Sequence, residues 1–141
     1  MNQLMKLAAA AAVGAIAAGS AVYAQGPAAE PAAIVSLYHA APGHQVELLK
    51  WLAAQDRVAK EAGVPMMQLY VHTNGDSWDY MGINPVTTEA QDKALDAAAK
   101  KLGIPTGPGV GLELRKHISS HTDTYTNGPT TAGQYLAYVG Q

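Results

Sequence analysis

The 141-residue chain contains no cysteine. That excludes disulfides, thiolate zinc sites and cysteine nucleophiles. The core must be stabilised by packing, with oligomerisation as the further resource. The chain is also short of positive charge, with nine Lys and Arg against eleven Asp and Glu and no basic run. A weakly acidic chain of this kind argues against nucleic acid as a partner. It has no uninterrupted apolar stretch of the ~20 residues that span a bilayer. Gly-x-Ser-x-Gly elbows and P-loops are absent. Gly107-Pro108-Gly109-Val110-Gly111 lacks the strand-then-helix setting of a dinucleotide fingerprint and reads as a loop.

The N-terminus carries Lys6, then an apolar run over residues 7–18 with no acid in it, then small residues and Val22-Tyr23-Ala24. This is the pattern of a secretory signal peptide (residues 1–24) cut after Ala24, which implies a periplasmic or secreted protein without stable membrane insertion. The exported chain has eight basic residues against eleven acidic ones. Its length of about 117 residues suits one domain. Residues 25–33, rich in Ala, Pro and Gly, read as a flexible leader, and residues 34–141 as the domain.

Within that domain, residues 34–39 (IVSLYH) read as a strand and residues 44–62 as an amphipathic helix stopped by Gly63. Residues 66–73 and 77–83 read as two strands joined by a tight turn at Asn74-Gly75, where both positions favour positive φ. Thr88-Glu89-Ala90-Gln91 is a capping-box pattern that opens a second helix running to Gly103. Residues 110–117 (VGLELRKH) alternate and read as strand four. Residues 118–141 read as an extension with a short helix starting near Thr130 or Thr131. The order β-α-β-β-α-β defines an α+β class of ferredoxin-like, split βαβ type with an antiparallel four-stranded sheet. The stretches 59–65 (AKEAGVP) and 99–105 (AKKLGIP) echo one another, through duplication or through shared helix-stop chemistry.

Strand alternation divides these residues between two faces. A two-residue turn pairs Tyr70 with Asp79 and His72 with Ser77. Met67, Leu69, Val71, Trp78 and Tyr80, with Val35, Leu37, Val110, Leu112 and Leu114, then make an apolar face for the helices. Ser36, Tyr38, Gln68, Tyr70, His72, Ser77, Asp79, Glu113, Arg115 and His117 make a polar and aromatic second face. In element order, size and this second face, residues 34–117 resemble the dimeric α/β-barrel superfamily. That group includes small antibiotic-biosynthesis-type and haem-degrading monooxygenases, polyketide-cyclase-like enzymes and stress-responsive barrel proteins. The resemblance is one of topology, with no signature motif. It implies a homodimer closed through the two sheets and a pocket between sheet and helices.

Histidine is the enriched reactive type, and it titrates near neutral pH. His39 ends the first strand on the parity of Val35 and Leu37, which suits an acid/base group at the mouth of a pocket walled by Trp78 and Tyr80. His72 shares a face with Tyr70 and Asp79, a set that can relay a proton and also an ordinary cross-strand group. On a helix, His117 and His121 lie one turn apart with Asp123 nearby, a spacing that can hold a divalent metal. The metalloprotease Glu is missing, since Ile118 follows His117. Tyr38 and Arg115 complete the candidate ligand contacts, although Arg115 and Glu113 also suit an ion pair or a dimer contact.

These features point to an exported enzyme acting on an apolar or aromatic small molecule by His and Tyr proton transfer. Cofactor-independent monooxygenase, lyase or cyclase chemistry fits, with His39, His72, Tyr70 and Asp79 as the acid/base group. Export makes NADPH or ATP poor partners. Two alternatives stand beside it: a periplasmic protein binding a small ligand, haem or a divalent metal through His117, His121 and Asp123, and a structural or stress-related oligomeric barrel. N-terminal sequencing of the protein recovered from the expressing cell's exported fraction is expected to begin Gln25-Gly26-Pro27. A protein that retains Met1 would contradict the cleavage.

Overall fold

The computed structural model describes residues 33–140; the proposed signal peptide and most of the leader lie outside them. The described chain is α+β. Its elements are β1 (Ala33–Ala40), α1 (Gln45–Ala62), β2 (Gln68–Val71), β3 (Tyr80–Pro85), α2 (Glu89–Lys101), α3 (Pro108–Leu114), β4 (Ile118–Thr126) and α4 (Ala132–Tyr138). The strands form one open antiparallel sheet in the order β2-β3-β1-β4. This is compatible with a ferredoxin-like fold, with α3 inserted before the last strand and α4 added after it.

Local chemistry sets the helix ends. Gly63 and Gly103 have φ of 68° and 66°, where a side chain would be strained. After each, the chain turns back in the same way: Val64 N–H donates to the Ala59 carbonyl at 3.0 Å and Ile104 N–H to the Ala99 carbonyl at 2.9 Å. These are the six-to-one bonds of a Schellman stop. The two echoed sequences therefore share one hydrogen-bond pattern. At the start of α2 the capping box is complete: Gln91 N–H donates to Thr88 Oγ1, and Thr88 N–H to Gln91 Oε1. Thr131 and Gln134 repeat it at α4.

The core lies between the sheet and the helices. Tyr38, Tyr80, Leu48, Leu52 and Leu114 form its centre, with Trp51, Met67 and Ile118 packed around them. A second cluster of Val58, Ala98 and Ala99 joins α1 to α2. Leu48 is fully buried, a burial that contributes roughly 1.5–3 kcal/mol. Gly82 is also buried, and a side chain there would collide with Met67. The missing Cβ lets Met67 lie against β3.

Three expectations are corrected. Residues 110–114 belong to a helix, not to strand four. Pro108 sits in the first turn of α3, where its lost N–H costs nothing. Val110 and Leu114, one turn apart, face inward, while Leu112 is 65% exposed. The fourth strand is the polar stretch Ile118–Thr126, rich in Thr and paired only with β1. The β2–β3 connection is wider than a two-residue turn. Tyr70 pairs with Met81 and Val71 with Tyr80, and His72 N–H donates to the Asp79 carbonyl, so the register is shifted by two and each strand keeps its parity. The faces of β1 are reversed. Tyr38 pairs with Tyr80 and Ser36 with Gly82, so Ser36 and Tyr38 face the helices. Val35, Leu37 and His39 lie on the open face, which joins neither core cluster.

Candidate functional site

The β1–β4 ladder assembles the site. Tyr38 lies opposite His121, and Ser36 opposite Asp123. Cross-strand partners share a face, and residues two apart on a strand do too. All four side chains therefore project to the helix side. Ser36, itself buried, donates from Oγ to Asp123 Oδ1 at 2.7 Å. Asp123 Oδ2 lies 3.5 Å from His121 Nε2. The His121 imidazole stacks on the Tyr38 ring, with centroids 6.2 Å apart and planes 12° from parallel. Asp123 thus stands between the serine hydroxyl and the imidazole, and the phenol ring lies beside that imidazole, nearly parallel and offset.

These four residues line a cavity of about 430 Å³ between the sheet, α1 and α2. Its remaining wall is chiefly apolar, from Trp51, Leu52, Val58, Met67, Leu95 and Val110 among others. An apolar cavity with a few convergent polar groups is the usual form of a small-molecule site. The His121 and Asp123 side chains are 35% and 46% exposed, which places them at the cavity's rim. Tyr38 is only 6% exposed. Burial pushes its phenol above the usual tyrosine range, the Ser36 hydroxyl offsets part of this, and the Asp123 carboxylate adds to the rise. The phenol therefore stays protonated and can donate a hydrogen bond at neutral pH.

The other sequence candidates are dispersed. His39 lies on the open face, away from this cavity, and its carbonyl accepts from Ser119 Oγ. Its expected place in the helix layer is corrected by the reversed parity of β1. Tyr70, 47% exposed, shares that open face. Asp79 is committed to the backbone: its Oδ2 accepts from Ala40 N–H at 2.7 Å, which ties the ends of β1 and β3 together. The His72 ring meets Trp78 edge-on at 5.0 Å. No hydrogen bond joins Tyr70, His72 and Asp79 side chains among the described residues, so the proton relay is not assembled. Trp78 does not line the cavity. Tyr80 belongs to the core, where its hydroxyl donates to the Gln45 carbonyl.

Arg115 is exposed beyond α3 and lines neither this cavity nor the neighbouring groove. The helical pairing of His117 with His121 fails because residues 118–126 are extended; at strand rise the two are roughly 13 Å apart along the chain. His117 instead stands beside Glu113 and the His44 ring, in a groove with Trp51 and Ile104. Of the three proposed metal ligands only His121 and Asp123 meet. No group of three His, Cys, Asp or Glu suited to a metal occurs among the described residues.

The chain matches no known protein-family model, no curated protein and no solved structure.

The raised Tyr38 phenol has a consequence for stability. Between the unfolded phenol's value of about 10 and the higher folded value, the unfolded chain loses its proton first. Tyr38's contribution is therefore intact below about pH 10 and is lost as pH rises towards the folded value. In denaturant melts from pH 8 to 11.5, Tyr38→Phe is expected to flatten the alkaline fall in stability. An unchanged slope would show that the phenol ionises freely.

Proposed function

We propose that the protein is an exported small-molecule enzyme that binds an apolar or aromatic compound between sheet and helices and moves a proton on it. The observation that carries this reading is the Ser36–Asp123–His121–Tyr38 group in the lining of a chiefly apolar cavity. His121 is the acid/base group, since an imidazole nitrogen can both take and give a proton. Asp123 orients the ring and supplies a countercharge when the imidazole takes a proton, and Ser36 fixes Asp123. Tyr38, held protonated, donates a hydrogen bond to a ligand oxygen or nitrogen where negative charge develops. These roles replace those expected of His39, His72 and Asp79. The chemistry is that of the chain's own side chains and suits a cofactor-independent lyase, cyclase or monooxygenase.

The assembly that fits is a homodimer of the α/β-barrel kind, closed through the open sheet faces. Val35, Leu37, Met81 and Ile83 make an apolar stripe there, flanked by Tyr70 and the Thr122 and Thr124 side chains. A one-sided antiparallel sheet facing water normally carries polar residues on that side. This stripe is a reason to expect a partner copy.

The test combines occupancy with turnover. Trp51 and Trp78 are the only tryptophans, so in a Trp78→Phe background Trp51 alone reports on the cavity. N-phenylnaphthylamine, a neutral aromatic probe, should bind saturably and quench Trp51 by energy transfer, and Ala99→Leu, which narrows the cavity without adding a second tryptophan, should weaken this. Deuterium exchange at the methyl protons of acetophenone should be accelerated by the protein and fall about 10²–10⁴-fold in His121→Ala. Probe binding with no His121-dependent exchange in acetophenone or related ketones would contradict the enzyme reading and leave a binding protein.

A further inference from the structure

The charge around the cavity is one-sided. Asp56 on α1, Asp96 on α2 and Asp123 on β4 line it, and no Lys or Arg among the described residues does. The two helical carboxylates stand at the solvent side of the stripes that cover the cavity, Asp56 half-buried and Asp96 exposed. Leu52, Asp56 and Ala59 follow one another at spacings of four and three, as do Asp96 and Ala99 at three, and all line the same space. The lysine ion pairs among the described residues are made elsewhere, to Glu47, Glu61, Glu89 and Glu113. Neither Asp56 nor Asp96 has a cationic partner among the described residues. Asp123 has only His121.

Three carboxylates of one sign around the mouth of a chiefly apolar space, with no lysine or arginine beside them, give it a negative potential that added salt screens. An anionic ligand is repelled there. A neutral ligand gains little. An ammonium gains from the carboxylates and from the aromatic rings of Tyr38 and Trp51, whose faces attract cations. Building on the reading of this cavity as the ligand site, we infer that its ligand class is an apolar or aromatic amine, bound as the cation, and that carboxylic acids are excluded. The apolar wall takes the hydrocarbon body, and Asp56, Asp96 and Asp123 set the sign of the charge.

Three probes of similar shape test this through Trp51 fluorescence in the Trp78→Phe background: phenethylamine, phenylethanol and phenylpropionate. At neutral pH and low salt, phenethylamine should bind at least about tenfold more tightly than phenylpropionate, with phenylethanol between them. Added sodium chloride should shrink the spread. Asp56→Asn with Asp96→Asn should remove most of the amine's advantage and leave phenylethanol binding unchanged, which also shows that the variant is folded. Binding of phenylethanol with no preference for the amine over the acid overturns the charge selection while the cavity reading stands. If none of the three binds, the cavity reading itself falls, and the amine assignment with it.

Discussion

Everything at the site depends on the pairing of β4 with β1. That ladder puts His121 beside Tyr38 and Asp123 beside Ser36. β4 is an edge strand with one neighbour, and most of its side chains are exposed. Its polarity suits an edge, where an apolar strand would invite pairing with other chains. Because side chains alternate, a slip of one residue would turn His121 and Asp123 to the open face and present Thr122 and Thr124 to the cavity. The Ser36–Asp123 hydrogen bond resists that slip. A buried hydroxyl left without its partner costs about 1–3 kcal/mol.

Most of the element order is legible in the sequence, because its signals are local. Gly63 and Gly103 stop helices through positive φ, and the Thr88/Gln91 and Thr131/Gln134 boxes open them. Strand four is misread because Val110, Leu112 and Leu114 fit period two as well as a short helix. Pro108 at the first helical turn is the signal that decides, and Thr122, Thr124 and Thr126 mark the true strand. Hydrophobicity also misleads about the faces of β1. Val35 and Leu37 look like core, yet pairing with Tyr80 and Gly82 turns Tyr38 and Ser36 inward. The contrast between the two faces of that strand is weak, and only its neighbours decide it.

The candidate site follows the same division. Tyr38, His121 and Asp123 are visible in the sequence as reactive residues. Their meeting is not, because it depends on a pairing across about eighty residues of chain. His39, His72 and Asp79 are equally visible and are dispersed by the fold. Asp56, Asp96 and Trp51 sit on helix faces that sequence alone reads as ordinary amphipathic surface. They become a cavity lining only once α1 and α2 cover the sheet.

The absence of cysteine allows the central pairing to be tested cleanly, since two introduced thiols can join only each other within the chain. Leu37 and Thr122 are direct partners on the open face, within reach of a disulfide. Thr124, two residues further on, is a diagonal neighbour too distant for an unstrained one. Under mild oxidation, Leu37→Cys with Thr122→Cys should crosslink nearly completely within the monomer, and Leu37→Cys with Thr124→Cys should not. Crosslinking of the second pair in preference to the first, or of neither, would contradict the register that brings Tyr38, His121, Ser36 and Asp123 together.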